Sequence, residues 1–237
     1  MSSSAPESPA PGGPAGPSLF PYYLILFGSS AGLACIIVLL ADLRDQLGFS
    51  EIGIGLAIGS GFGAAFVANL VMAPHADRGR APAMLRAGLA LAVAGMVLLA
   101  VGQELWHYVA GRVVFGFALG TAGPAARRTV IVADPENLGR NIGRLGAWDV
   151  GGFVAGPIIA AGLTAVGGFR FTFWTMAGAL ALLLPVAFRA QPDVAAQDQE
   201  RLGLQGLLRI RRLIGAFFMV AAYFVFIGAF EAVWVLE

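Results

Sequence analysis

The stretch VMAPHADRGRAPAM, residues 71–84, interrupts an apolar sequence that runs up to it from Ile52 and resumes directly after it. Between the two apolar runs stand His75, Asp77, Arg78 and Arg80, gathered around Gly79 and fenced by Pro74 and Pro82. The composition on either side decides what such a knot of charge means. The chain is 58% hydrophobic and 12% charged, whereas a soluble domain carries about 25% charged residues. So few charges cannot cover a water-facing surface of this size. The runs between charge clusters are about 20 residues long, the length an α-helix needs to cross a hydrocarbon core of roughly 30 Å. The expected fold class is an all-α integral membrane protein, with 71–84 as a turn at a membrane face.

Working outward gives seven candidate spans, at 21–41, 52–73, 83–102, 106–126, 143–165, 171–188 and 213–235. Residues 1–19 are rich in Pro, Gly, Ser and Ala and hold no basic residue, so they read as a disordered tail and not as a signal peptide. Every permanent cation is Arg, which excludes a retinal Schiff base. The single Cys35 lies in an apolar run and reads as a small packed hydrophobe. With the N-terminus inside, twelve arginines fall on cytoplasmic segments, against Arg44 and Arg170 outside and Arg112 within the fourth span. That asymmetry orients the chain with its N-terminus cytoplasmic, as a multi-pass protein of the cell membrane.

The spans are rich in small residues at helix-packing spacing: Gly59-xxx-Gly63, Gly116-xxx-Gly120 and Gly152-xxx-Gly156. Residues 189–212 differ in kind. They pair a polar stretch with RLGLQGLLRIRR, which suits a basic amphipathic helix on the inner leaflet.

Several motifs resemble those of the major facilitator superfamily of secondary transporters. Ala76-Asp77-Arg78 and Gly79-Arg80 match the centre of that family's G-x-L-A-D-R-x-G-R-[RK] signature between spans two and three. Ala73 stands for the usual Gly, His75 for the usual Leu, and one residue is missing between Arg78 and Gly79. Arg112-xxx-Gly116 is similar to the family's Arg-Gly motif in span four. Gly152-xxx-Gly156-Pro157-xx-Ala160-Ala161 resembles the G-x-x-x-G-P-x-x-G-G pattern of its drug–proton antiporters. The resemblance implies a six-span N-terminal bundle over 20–188, a cytoplasmic linker over 189–212, and a seventh span at 213–237 that begins an incomplete second bundle. Such transporters have two six-span halves, so the chain is expected to be truncated relative to that plan.

Site residues follow from the same motifs. The resemblance makes Asp77, Arg78, Gly79 and Arg80 an inner-face latch that grips neighbouring helices; a plain solvated turn is the alternative. His75 with Asp77 is too small a set for a metal. Asp149, four residues past a boundary near Leu145, lies about 6 Å deep. It is either a proton carrier or an inner-face carboxylate paired with Arg78, Arg80 or Arg128. Arg112, about 9 Å from the outer boundary, is either a cavity-facing cation or a snorkelling one. Gly152, Gly156 and Pro157 are expected to bend span five. Glu231, about 27 Å across its span, reads as an interfacial carboxylate. Asp42, Arg44, Asp45 and Glu51 read as the first outer loop.

The expected function is secondary active transport of a small molecule across the lipid bilayer, and the resemblance implies efflux coupled to protons. The alternative is a non-transporting seven-span sensor, or a truncated regulatory protein that binds a partner. No nucleophile–base pair, metal set or phosphate loop is present in the sequence, so no enzyme, cofactor or nucleic-acid partner is expected. A homodimer or a separate C-terminal half would complete the transporter.

Overall fold

In the computed structural model, residues 18–189 are described, together with positions 214, 215, 218, 219 and 222. Expectations for residues 1–17, for the 189–212 linker beyond Arg189, for nearly all of the seventh span at 213–237 and for Glu231 lie outside the described residues. Residues Met1–Ala195 form one compact unit and Ala196–Glu237 another. Among the described residues, the helices long enough to cross a membrane lie in the first.

Each helix starts and stops where its sequence requires. Helix α1, Phe20–Leu47, opens with Pro21 in its first turn and ends at Gly48, whose φ of 70° lets its N–H bond Arg44 O at 2.9 Å. The helix therefore outlasts the apolar run. Asp42, Arg44 and Asp45, expected in a loop, lie in its last turns, because the chain first adopts the left-handed conformation at Gly48. Helix α2, Glu51–His75, is capped by Ser50, whose hydroxyl accepts from Gly53 N at 3.1 Å. A tight π-type turn, Ala76–Arg80, joins it to α3, Ala81–Val101, with Gly79 at φ 76°. Helix α4, Leu105–Ala133, begins with a capping box between Glu104 and His107. A short 3-10 turn, Pro135–Asn137, leads to α5, Leu138–Phe188.

Helix α5 is two helices joined at one residue. Gly168 has φ 78° and ψ 179°, outside any helix, and the Thr164 and Thr172 hydroxyls meet at 3.0 Å across it. Residues eight apart in a straight helix would be about 12 Å apart, so the chain reverses there. Helix α5 thus has two arms, 138–167 and 169–188, where the sequence suggests separate segments at 143–165 and 171–188.

Contacts fix the directions. Phe27 and Ala31 meet Gly152 and Gly156 in the same order, so α1 runs parallel to the first arm; Gly61 and Ala65 meet Gly116 and Gly120 likewise, so α2 is parallel to α4. Gly88 lies against Ala122, and Gly95 against Phe115, so α3 is antiparallel to α4. Arg86 reaches Ala187 O while Arg170 reaches Gly102 O, so the second arm is antiparallel to α3. Successive helical segments therefore alternate in direction.

Among the described residues, four long apolar helical stretches, Phe20–Leu40, Glu51–Val101, Leu105–Ala133 and Pro135–Phe188, are each long enough to cross a membrane. All regular structure among the described residues is helical. The two parallel seams repeat one geometry. A Cβ on Gly116 would strike Gly61 O, and one on Gly152 would strike Phe27 O. One turn later Gly120 meets Ala65 O and Ala68, while Gly156 meets Ala31 O and Ala34. Close backbone approach of this kind gives apolar helices dispersion contacts that lipid cannot match. Gly59 and Gly63, with the same spacing in sequence, face open space instead.

Candidate functional site

Charged residues at one end of the bundle converge on α4. Arg127 and Arg128 are adjacent on its last turns and reach different carboxylates. Arg127 Nη2 lies 3.6 Å from Asp149 Oδ2, and Arg128 Nε lies 3.9 Å from Asp77 Oδ1. Consecutive positions on a helix diverge by about 100°, which is why neighbours can serve two partners. Asp149 also accepts a hydrogen bond from the Ser30 hydroxyl on α1. Its partner is thus Arg127, where Arg78, Arg80 or Arg128 was expected. Arg78 and Arg80 are exposed in the turn between α2 and α3.

Asp77 is held more loosely. Its side chain is 64% exposed, at the long end of ion-pair distance from Arg128. Gly79 supplies the positive φ that lets five residues reverse the chain. His75 Nδ1 donates to Val71 O at 2.9 Å, one turn back in its own helix. Among the described residues no cluster suited to a metal occurs. Nearby, hydrogen bonds from Asn141 and Asn137 hold the Asp134 carboxyl below the usual carboxylate range, which pins the connection between α4 and α5.

Arg112 is fully buried. Its Nε donates to Ala57 O at 3.3 Å and its Nη2 to Ile58 O at 3.1 Å. The guanidinium also lies 5.5 Å from the centre of the Phe62 ring. Gly61 makes room for it, since a Cβ there would come within 2.8 Å of the guanidinium. The side chain thus sits in the α2–α4 seam, neither snorkelling outward nor open to water. In the matching α1–α5 seam, Gly156 and Pro157 keep helical dihedrals, and the Cys35 thiol donates to Gly156 O at 3.0 Å. The first arm of α5 thus keeps helical dihedrals through Pro157, and its non-helical residue is Gly168.

The family model of the Major Facilitator Superfamily matches residues 22–236. The chain belongs to this superfamily. It is 29% identical over 170 residues to "Multidrug resistance protein MdtG" of Serratia proteamaculans and 30% identical to the protein of that name from Yersinia enterocolitica. Each match covers 69% of this chain and 41% of the relative, so the chain spans less than half the length of the curated relatives it matches.

Within this superfamily member, the structure adds two residues to those legible in the motifs. Ser30 gave no sequence signal, being one of two adjacent serines in an apolar run. Arg127 was legible only as one of several inner arginines. The opposite end carries a separate clamp, in which Gly102 O accepts from both Tyr108 Oη and Arg170 Nη2, each at 3.1 Å.

Proposed function

We propose that the bundle is the first of two halves of a secondary transporter that exports a small molecule by alternating access in exchange for protons. In this reading the segments α1 to α4 and the two arms of α5 are six membrane crossings. The N-terminus, the α2–α3 turn and the α4–α5 connection face the cytoplasm, in the cell membrane. The observation that carries the reading is the forked pair Arg127 and Arg128, which ties the α2–α3 turn and α5 to one end of α4. A latch at one face is what a rocking bundle requires. It biases one conformation while intact, and it yields when binding energy favours the other.

Asp77, Arg78, Gly79 and Arg80 form the latch turn, Asp149 joins its network, and Arg112 fixes α2 to α4 farther along the same seam, toward the opposite end of the bundle. Gly152, Gly156 and Pro157 build the α1–α5 seam. The second half is a C-terminal bundle or a second copy of the chain, and the relatives' multidrug-resistance names support a drug-like small molecule as substrate.

The test uses everted membrane vesicles containing a complete transporter built on this bundle, with a fluorescent reporter of an imposed pH gradient. Adding a lipophilic drug should collapse part of the gradient, and Asp149→Asn should slow the response about tenfold. Single cysteines at Glu51 and Gly139, in a Cys35→Ala background, report topology. Impermeant thiol reagents applied to intact cells should label the first and spare the second. Labelling of Gly139→Cys, or a gradient indifferent to every drug tried, contradicts the proposal.

A further inference from the structure

The hydroxyls of membrane helices ordinarily turn back onto their own backbone, and most here do. Thr121, Thr129 and Thr175 donate to carbonyls four residues earlier at 2.8, 2.9 and 2.8 Å, and Ser60 donates to Ala57 O at 3.0 Å. Ser30 departs from this habit. Its hydroxyl leaves α1 and donates to Asp149 Oδ1, 119 positions away on α5. The other carboxylate oxygen faces Arg127 of α4. One carboxylate therefore joins α1, α4 and α5.

The links differ in kind. One turn along, Gly152 presses on the Phe27 carbonyl, so α1 and the first arm of α5 are fixed together by backbone contact. The bond from Ser30 lies inside that fixed pair. The bond to Arg127 crosses to α4 through a long side chain that is 53% exposed, so water can take its place at little cost.

We propose that Ser30 is a positioning residue for the inner-face latch. It holds one Asp149 oxygen so that the other is presented to Arg127, and the Arg127–Asp149 contact is the one that opens. The inner end of α4 then parts from a constant α1–α5 pair during transport. The inference rests on the alternating-access reading, but its test does not need flux.

The experiment uses the full chain in lipid nanodiscs, with Cys35→Ala and spin labels at Ile131→Cys on α4 and Val150→Cys on α5, both exposed positions. Distances are measured by pulsed electron resonance. The parent should give a narrow distribution, lost in Arg127→Gln and equally in Ser30→Ala. Ser30→Thr, which keeps the hydroxyl, should restore it, and Ser30→Ala should add nothing in the Arg127→Gln background. A narrow distribution in Ser30→Ala alongside a broad one in Arg127→Gln overturns the proposal. So does a broad distribution in Ser30→Thr, which would make Ser30 a packing residue. If Ser30→Ala does not fold, the proposal stands or falls on Ser30→Thr against Arg127→Gln. Distances that behave as expected in a chain whose complete form moves no drug would retain the positioning role and remove the transport reading.

Discussion

Gly116→Leu should unfold the bundle, whereas Gly59→Leu should leave it intact. A side chain at 116 grows directly into the Gly61 carbonyl, and main chain cannot move aside as a flexible side chain can. Overpacking a core costs about 1–3 kcal/mol when neighbours can adjust. Here α2 must separate from α4, which also breaks the hydrogen bonds from Arg112 to Ala57 and Ile58. Gly59 faces open space, and surface changes away from special features stay within about 0.5 kcal/mol. Thermal denaturation followed by size-exclusion chromatography in detergent separates the outcomes. Equal stability of the two variants would show that the α2–α4 seam is misplaced.

Arg112→Lys should be nearly as damaging, although the charge is kept. The guanidinium lies flat on bare backbone at Gly61, and its fork spans two successive carbonyls. An ammonium is a point donor and cannot bridge both. Losing one hydrogen bond to a charged group costs roughly 1.5–3 kcal/mol. The unfolding midpoint in mixed micelles should fall accordingly, with Arg112→Met no better. Unchanged stability in Arg112→Lys would mean that the charge alone matters, as expected for a cation facing a cavity.

The helices and their order were legible in the sequence, because a bilayer imposes length and polarity on every segment. The break at Gly168 was legible as a gap between spans. The extension of α1 past Ala41 was not, since polarity marks where the membrane ends and not where the helix does. Gly59-xxx-Gly63 and Gly116-xxx-Gly120 read alike as strings. They differ because a spacing names a face of one helix, and only tertiary placement says whether another helix covers it. Asp149 could be singled out by its position among apolar residues. Its partner could not, because the direction of a charged side chain depends on a turn one residue shorter than the superfamily signature. Ser30 was invisible, since a hydroxyl in a membrane helix has a ready partner in its own backbone.

A double-mutant cycle on drug flux through a complete transporter built on this bundle tests the inner-face latch most directly. Asp77 is exposed and loosely paired, so Asp77→Asn removes about 0–1 kcal/mol and should slow transport at most about fivefold. Asp149 accepts from Ser30 and faces Arg127, so Asp149→Asn should slow it about tenfold or more, at roughly 1.5–3 kcal/mol. Both carboxylates face adjacent arginines of α4. The pair should therefore be no slower than Asp149→Asn alone, a non-additivity that independent sites do not show. Effects that multiply in the double variant, or wild-type flux in all three, would contradict a shared latch.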